Sequence, residues 1–219
     1  MTRNRLRSQV IRLRHSFFAL VLACCTPVSA AQPETCDAAT GTVDATWVPF
    51  KGLVRKHRNV LIIGDSEACA VSNYTRHVQD AHDSVYVDCK VSTTVPYWAA
   101  QGNFREALSR HPKPDAVLVF LGTNHYWDAK ANPDVKPILD IVKAEGIDCV
   151  WVGNVAVKGR KWPINNALRA SVQPTCSYFD TETAGIPLAD GVHPTGDGAL
   201  KWLRAVWPMI PSHYEERHD

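Results

Sequence analysis

The clearest signal along the chain is a series of short apolar runs, each closed by glycine or a small polar residue. Asn59-Val60-Leu61-Ile62-Ile63-Gly64 is the first. Val85–Cys89, Ala116–Leu121, Cys149–Gly153 and Ser177–Asp180 follow. Continuous apolar runs of this length predict strands buried on both faces. Helical spacing fills the intervals. Glu67 to Asp80 predicts one helix. Pro133 to Ala144 predicts another, with Val135, Ile138, Leu139 and Val142 on one face and Gly146 placed to end it. A last helix opens near Pro194 and runs through Leu200, Trp202, Leu203 and Val206 towards Trp207. Strands alternating with helices predict βαβ units, a parallel sheet and one α/β domain. Residues 31–54 are polar and aperiodic, and are read as an extended lead-in.

The first thirty residues stand apart from this pattern. Arg3, Arg5, Arg7, Arg12 and Arg14 precede the apolar run Phe17 to Cys25 and the small-residue stretch Val28-Ser29-Ala30. These are the three parts of a secretory signal, so residues 1–30 are expected to be a leader and the protein exported, periplasmic or secreted. The run falls short of the about 20 residues a spanning helix needs. Val21-Leu22-Ala23-Cys24 loosely resembles the bacterial lipobox, which offers a second reading with a lipid anchor at Cys24.

Composition changes meaning once the leader is set aside. The chain has 24 Lys+Arg against 22 Asp+Glu; without the five leader arginines the balance is 19 against 22, a net of −3. Nothing in that balance calls for a nucleic-acid partner. Of seven cysteines, Cys24 and Cys25 leave with the leader, so Cys36, Cys69, Cys89, Cys149 and Cys176 remain. An odd count leaves at least one thiol outside intrachain bridges. No Cys-x-x-Cys occurs among these, and His77 and His82 are five apart, the wrong spacing for one helix face. No metal or other cofactor is expected.

Ligands of a parallel sheet sit beyond the carboxyl ends of its strands. The polar residues in those places are Asp65-Ser66, Ser92-Thr93-Thr94, Thr123-Asn124 and Asn154. Singly, such residues are ordinary caps and turns. Together they suit acyl transfer. Ser66 follows a strand and opens a helix, where a backbone N–H points outward and negative charge is favoured. In Asp190-Gly191-Val192-His193-Pro194 an acid lies three residues before a histidine, across a glycine turn, where it can orient the imidazole as a general base.

Gly64-Asp65-Ser66, Gly122-Thr123-Asn124 and Asp190-Gly191-Val192-His193-Pro194, in that order, resemble the first, third and fifth blocks of the SGNH (GDSL-type) hydrolases. The resemblance spans about Asn59 to Pro208, within a domain read as residues 55–219. It implies a three-layer α/β/α flavodoxin-like fold with about five parallel strands. It implies Ser66 as nucleophile, His193 as general base and Asp190 as its orienting acid. Asn124 and the Ser66 N–H would donate to the oxyanion. Two departures stand out. Glu67 replaces the leucine of the first block, and Lys90 to Thr94 lacks the glycine whose N–H usually supplies a further donor. Ser92 or Thr93 would have to stand in, with Ser92 taken as the candidate. A lost oxyanion donor costs roughly 100-fold or more in turnover. A Gly-x-Ser-x-Gly elbow is absent, which argues against an α/β-hydrolase.

Trp98, Trp127 and Trp162, with Tyr97 and Tyr126 beside two of them, are expected near the same sheet edge as stacking platforms for sugar rings. Lys158, Arg160 and Lys161 suit an acidic glycan. The substrate expected is an acylated small molecule or polysaccharide, cleaved by a monomeric carbohydrate O-deacetylase. Two rivals remain: a lipolytic esterase or lysophospholipase, and a non-catalytic glycan-binding protein. The family's sheet order makes the strands of Cys149 and Cys176 neighbours and implies a bridge between them, with Cys69–Cys89 as a second pair.

Overall fold

The computed structural model describes residues 53–125, 133–157 and 163–216. The leader, Cys24, Cys36 and the lead-in up to residue 52 lie outside the described residues. So do Tyr126, Trp127, Lys158, Arg160, Lys161 and Trp162.

Five of the predicted runs become one parallel sheet: β2 (Arg58–Gly64), β3 (Asp83–Cys89), β4 (Ala116–Phe120), β5 (Asp148–Val152) and β6 (Ser177–Phe179), in spatial order β3-β2-β4-β5-β6. Counted within the sheet this is 2-1-3-4-5, the flavodoxin-like order, whose switch point lies between the carboxyl ends of the first and third strands. Here those are β2 and β4, with Gly64 in register with both Cys89 and Phe120.

Period-two alternation makes the three layers. On one face Leu61, Ile63, Val117, Val119, Cys149 and Trp151 meet α2 (Val95–Ala99), α3 (Asn103–Arg110), α4 (Lys136–Glu145) and α5 (Pro163–Val172). On the other, Val60, Ile62, Leu118, Phe120, Val150 and Val152 meet α1 (Ser66–Ser72) and α6 (Gly196–Val206). Both faces of β4 are therefore buried, which is why its sequence reads as unbroken hydrophobe.

The structure amends several boundaries. The helix expected over Glu67 to Asp80 stops at Ser72 and gives way to a 3-10 turn at Thr75–His77. Ser72 Oγ bonds the Cys69 carbonyl and Thr75 Oγ1 the Ser72 carbonyl, the local competition by which hydroxyl side chains end helices. The last helix starts at Gly196, two residues after Pro194, because Thr195 caps it through Oγ1 to the Gly198 N–H. Leu53 and Val54, read as lead-in, belong to β1 (Leu53–Arg55), which pairs antiparallel with β7 (Tyr214–Glu216). Helices α2, α3 and α5 carry no sequence expectation. Both expected bridges form: Cys149–Cys176 joins β5 to the residue before β6, and Cys69–Cys89 ties α1 to the end of β3. No described helix is long and apolar enough to cross a membrane.

Candidate active site

The switch point is crowded with close approaches. A Cβ on Gly64 would fall 2.1 Å from the Phe120 carbonyl oxygen, and one on Gly122 would fall 2.5 Å from Asn154 Nδ2. Glycine at both positions lets the chain turn off β2 and β4 at the same level. Asp65 then caps α1, its Oδ1 accepting the Glu67 N–H at 3.0 Å. Ser66 is thus the first residue of α1, half-buried, and its own N–H has no partner among the described residues.

The loop before α6 brings the other two groups to it. Leu188 pairs with Pro194 in an isolated bridge, and Ala189 donates its N–H to the His193 carbonyl, which closes the turn around Gly191. Inside that turn Asp190 Oδ1 accepts the backbone N–H of Val192 and of His193, and Asp190 Oδ2 lies 2.8 Å from His193 Nδ1. His193 Nε2 lies 3.0 Å from Ser66 Oγ, across 127 residues of sequence. The hydrogen bond from His193, backed by the two backbone donors, holds the Asp190 carboxyl well below the usual carboxylate range. An ionised carboxylate only accepts, so Nδ1 carries the proton and the Nε2 lone pair faces the Ser66 hydroxyl.

Asn124 sits in the 3-10 turn Thr123–His125 that follows β4. Its Nδ2 donates to the Thr93 carbonyl at 2.8 Å and to Asp65 Oδ2 at 3.1 Å. Both amide protons are therefore engaged in the resting site. Thr93 is held in turn by Trp98, whose Nε1 donates to Thr93 Oγ1 at 3.0 Å. Ser92, one residue earlier, is exposed and takes the left-handed conformation with φ of 63°, the backbone shape glycine favours. The Ser92 N–H makes no hydrogen bond among the described residues, whereas the Thr93 N–H is spent on the Lys90 carbonyl.

Trp98 has to be corrected. It is 2% exposed, packed with Phe104 and Val119 in the core, and offers no face to a sugar ring. The Thr93 bond satisfies its indole N–H, and so allows burial. Trp127 and Trp162 fall outside the described residues.

Sequence reasoning gave no role to the buried polar groups behind Ser66, His193 and Asp190. Asp65 is fully buried, and burial raises its carboxyl from an ordinary 3.8 to about 7. Glu67, also buried, is raised well above its ordinary value by burial and by the neighbouring Asp65. The signal is a carboxylic residue on either side of Ser66, without a basic residue nearby in sequence.

No protein-family model matches the chain, and no curated protein is significantly similar to it. Solved structures do resemble it. An acetyl xylan esterase aligns with a TM-score of 0.57 at 16% identity, over 70% of this chain and 100% of that one. TesA aligns with a TM-score of 0.55 at 20% identity, over 69% and 97%. A member of the lipolytic G-D-S-L family from Veillonella parvula aligns with a TM-score of 0.54 at 12% identity, over 68% and 96%. The chain therefore has the SGNH (GDSL-type) hydrolase fold, a five-stranded parallel sheet between two helical layers.

Proposed function

We propose that this protein is an exported serine esterase in which Ser66 is the nucleophile, His193 the general base and Asp190 the group that orients it. The observation that carries this reading is the unbroken line from Asp190 Oδ2 through His193 to Ser66 Oγ, with contacts of 2.8 and 3.0 Å. In the reaction Ser66 Oγ attacks the ester carbonyl carbon while its proton passes to His193 Nε2. The carbonyl electron pair moves onto oxygen, and the tetrahedral intermediate collapses with loss of the alcohol, which takes the proton from Nε2. Water repeats the sequence on the acyl-Ser66, releasing the acid.

The oxyanion meets the Ser66 N–H and, in this proposal, the Ser92 N–H and the Asn124 amide. Asn124 must exchange its bond to Asp65 or to Thr93 for the oxyanion, so its contribution grows as charge develops. Export is supported by the leader-like first thirty residues and by two disulfides, which persist in oxidising compartments.

For substrate class we favour an O-acetyl group on carbohydrate, supported by the likeness to an acetyl xylan esterase. With Trp98 in the core, the sugar-stacking part of this reading rests on Trp127 and Trp162 alone. Ser66→Ala should lower p-nitrophenyl acetate hydrolysis by about 10⁴-fold or more; unchanged hydrolysis would sink the nucleophile assignment. Acetate release from acetylated glycans should exceed release of long acyl chains. The opposite preference would favour the lipolytic reading, to which the Veillonella likeness points.

A further inference from the structure

The last paired residues of β4 and β5 are Phe120 and Val152, so the ladder ends before the Gly122-Thr123-Asn124 turn begins. Beyond the ladder, side chains hold the turn. Trp151 Nε1 donates to the Leu121 carbonyl at 3.2 Å, and the His125 N–H closes the turn onto the Gly122 carbonyl at 3.0 Å. From α2 the Val95 N–H donates to His125 Nε2 at 3.2 Å. From β5 comes Asn154, two residues past the strand, a polar residue to which the triad gives no role. It is fully buried and lies against Gly122, where a Cβ would fall 2.5 Å from Asn154 Nδ2 and 2.7 Å from its Oδ1.

Asn165, the third residue of α5, fixes which way round this amide sits. Asn165 Oδ1 accepts the Asn154 backbone N–H at 2.9 Å, and Asn165 Nδ2 donates to the Asn154 carbonyl at 3.0 Å. Main-chain groups cannot exchange roles, so the Asn165 amide has one orientation. Its oxygen also lies 2.9 Å from the Asn154 side-chain amide, so the atom facing it is Nδ2. Asn154 Oδ1 then faces Thr123 Oγ1 at 3.1 Å, and the Thr123 hydroxyl donates. Asn165 Nδ2 continues to Glu182 Oε1 at 2.9 Å, in the 3-10 turn Thr181–Thr183. Every side-chain nitrogen and oxygen of Thr123, Asn154 and Asn165 is thus partnered, and all three residues are buried. Such a network admits one arrangement, because a shifted turn would strand at least one buried polar group.

The next residue in the same short turn is Asn124. Its own amide is tied to Asp65 Oδ2 and to the Thr93 carbonyl, and one of these bonds has to be exchanged when an oxyanion forms. The bond from Thr123 to Asn154 points away from that exchange and can stay intact throughout it. It therefore holds the turn while the Asn124 amide changes partner.

We propose that Asn154 is a positioning residue: by accepting a hydrogen bond from Thr123 it holds Asn124 where the amide can meet the oxyanion. Asn154 touches no reacting atom, and the assignment rests on the esterase reading above. Asn165 and Glu182 act one step further out, by fixing the orientation of Asn154.

The test is steady-state hydrolysis of p-nitrophenyl acetate by the wild type, Thr123→Val, Thr123→Ser and Asn154→Ala, each also combined with Asn124→Ala, with Ser66→Ala as control. Thr123→Val keeps the shape of the side chain and removes only the donor. It should lose roughly 10-fold in kcat with KM nearly unchanged, and Asn154→Ala roughly 10- to 100-fold, as expected when a transition-state donor is misplaced. Neither should lose more than Asn124→Ala, for which the loss of an oxyanion donor predicts about 100-fold or more. Thr123→Ser, which keeps the hydroxyl, should retain wild-type kcat. In the Asn124→Ala background, Thr123→Val and Asn154→Ala should change kcat by less than about 2-fold, whereas independent defects would multiply. A merely structural network would lower Tm and leave kcat alone, or cost the same with and without Asn124. Wild-type kcat in Thr123→Val, equal loss in Thr123→Ser, or the same loss in both backgrounds overturns the proposal. Should Asn154→Ala fail to fold, the Thr123 variants decide by themselves. Hydrolysis that persists in Ser66→Ala overturns the esterase reading and the proposal with it; Ser66-dependent hydrolysis with any of the three contrary results overturns the proposal alone.

Discussion

Strand β2 has buried acidic groups at both of its ends, and they are treated in opposite ways. At the amino end Arg58, 3% exposed, holds Asp83 through two bonds of 2.8 and 3.0 Å and gives its remaining nitrogen to the carbonyls of Ile210 and Pro211. Trp207 Nε1 adds a further donor to Asp83. At the carboxyl end Asp65 and Glu67 are as deeply buried, yet no lysine or arginine among the described residues bonds to either. A charge pair satisfied on every side fixes the register of β2 against β3. Burial raises the proton affinity of both carboxyls, Asp65 raises that of Glu67 further, and the two lie one residue on either side of Ser66. Proteins place perturbed groups of the second kind at sites where chemistry is done.

This contrast predicts a double dissociation. At the carboxyl end His193→Ala should lower kcat/KM for p-nitrophenyl acetate by about 10⁴-fold or more. Its Tm should hardly move, because the ring is partly solvent-exposed. Comparable turnover in the variant would remove the functional half of the comparison. At the amino end Arg58→Met should cost about 3 kcal/mol of unfolding free energy, because it removes the two short bonds to buried Asp83 and leaves that carboxylate Arg55 at 3.2 Å and the Trp207 N–H, measured by urea denaturation, while the folded fraction keeps its kcat. A large kcat loss without destabilisation would contradict the structural reading of Arg58.

The Cys69–Cys89 bridge bears on the same contrast, because it fastens the helix that Ser66 opens to the end of β3 across a separation of 20 residues. Replacing both cysteines by serine should cost about 3 kcal/mol by loop entropy. Urea midpoints that coincide with wild type would show that the bridge leaves the unfolded chain unconstrained.

The smallest expected effect is on pH. Asp65 rises from 3.8 to about 7 on folding and Glu67 rises as well, so the native state binds more protons than the unfolded chain between those values. Their contribution to stability is complete below the ordinary carboxylate range and is lost as pH climbs through the folded values. Asp190 shifts the other way, and its contribution is lost only on strong acidification. Glu67→Gln should therefore flatten the fall of Tm between about pH 4 and 7 relative to wild type. An unchanged slope would mean that the pair titrates normally.

How legible the molecule was follows the same divide. The sheet could be read because β2, β4 and β5 are buried on both faces and show it as continuous hydrophobe. Ser66, Asn124, Asp190 and His193 could be read because each lies in a short motif beside a strand end or turn. Helix α2 could not, because it is a single turn of five residues, Val95–Ala99, set by what packs beneath it. Trp98 was misread for the related reason that a tryptophan near a loop looks the same whether it faces solvent or, as here, props the loop from below. The buried bond from Thr123 to Asn154 joins residues 31 positions apart and has no periodicity to betray it.

The central claim is that the Ser66 hydroxyl is made nucleophilic by His193. Incubating the full chain with a fluorophosphonate probe and mapping the adduct by mass spectrometry tests it most directly. The account predicts a single stoichiometric adduct on Ser66, lost in Ser66→Ala and strongly slowed in His193→Ala. No adduct on the folded wild type, or one on another residue, would contradict it.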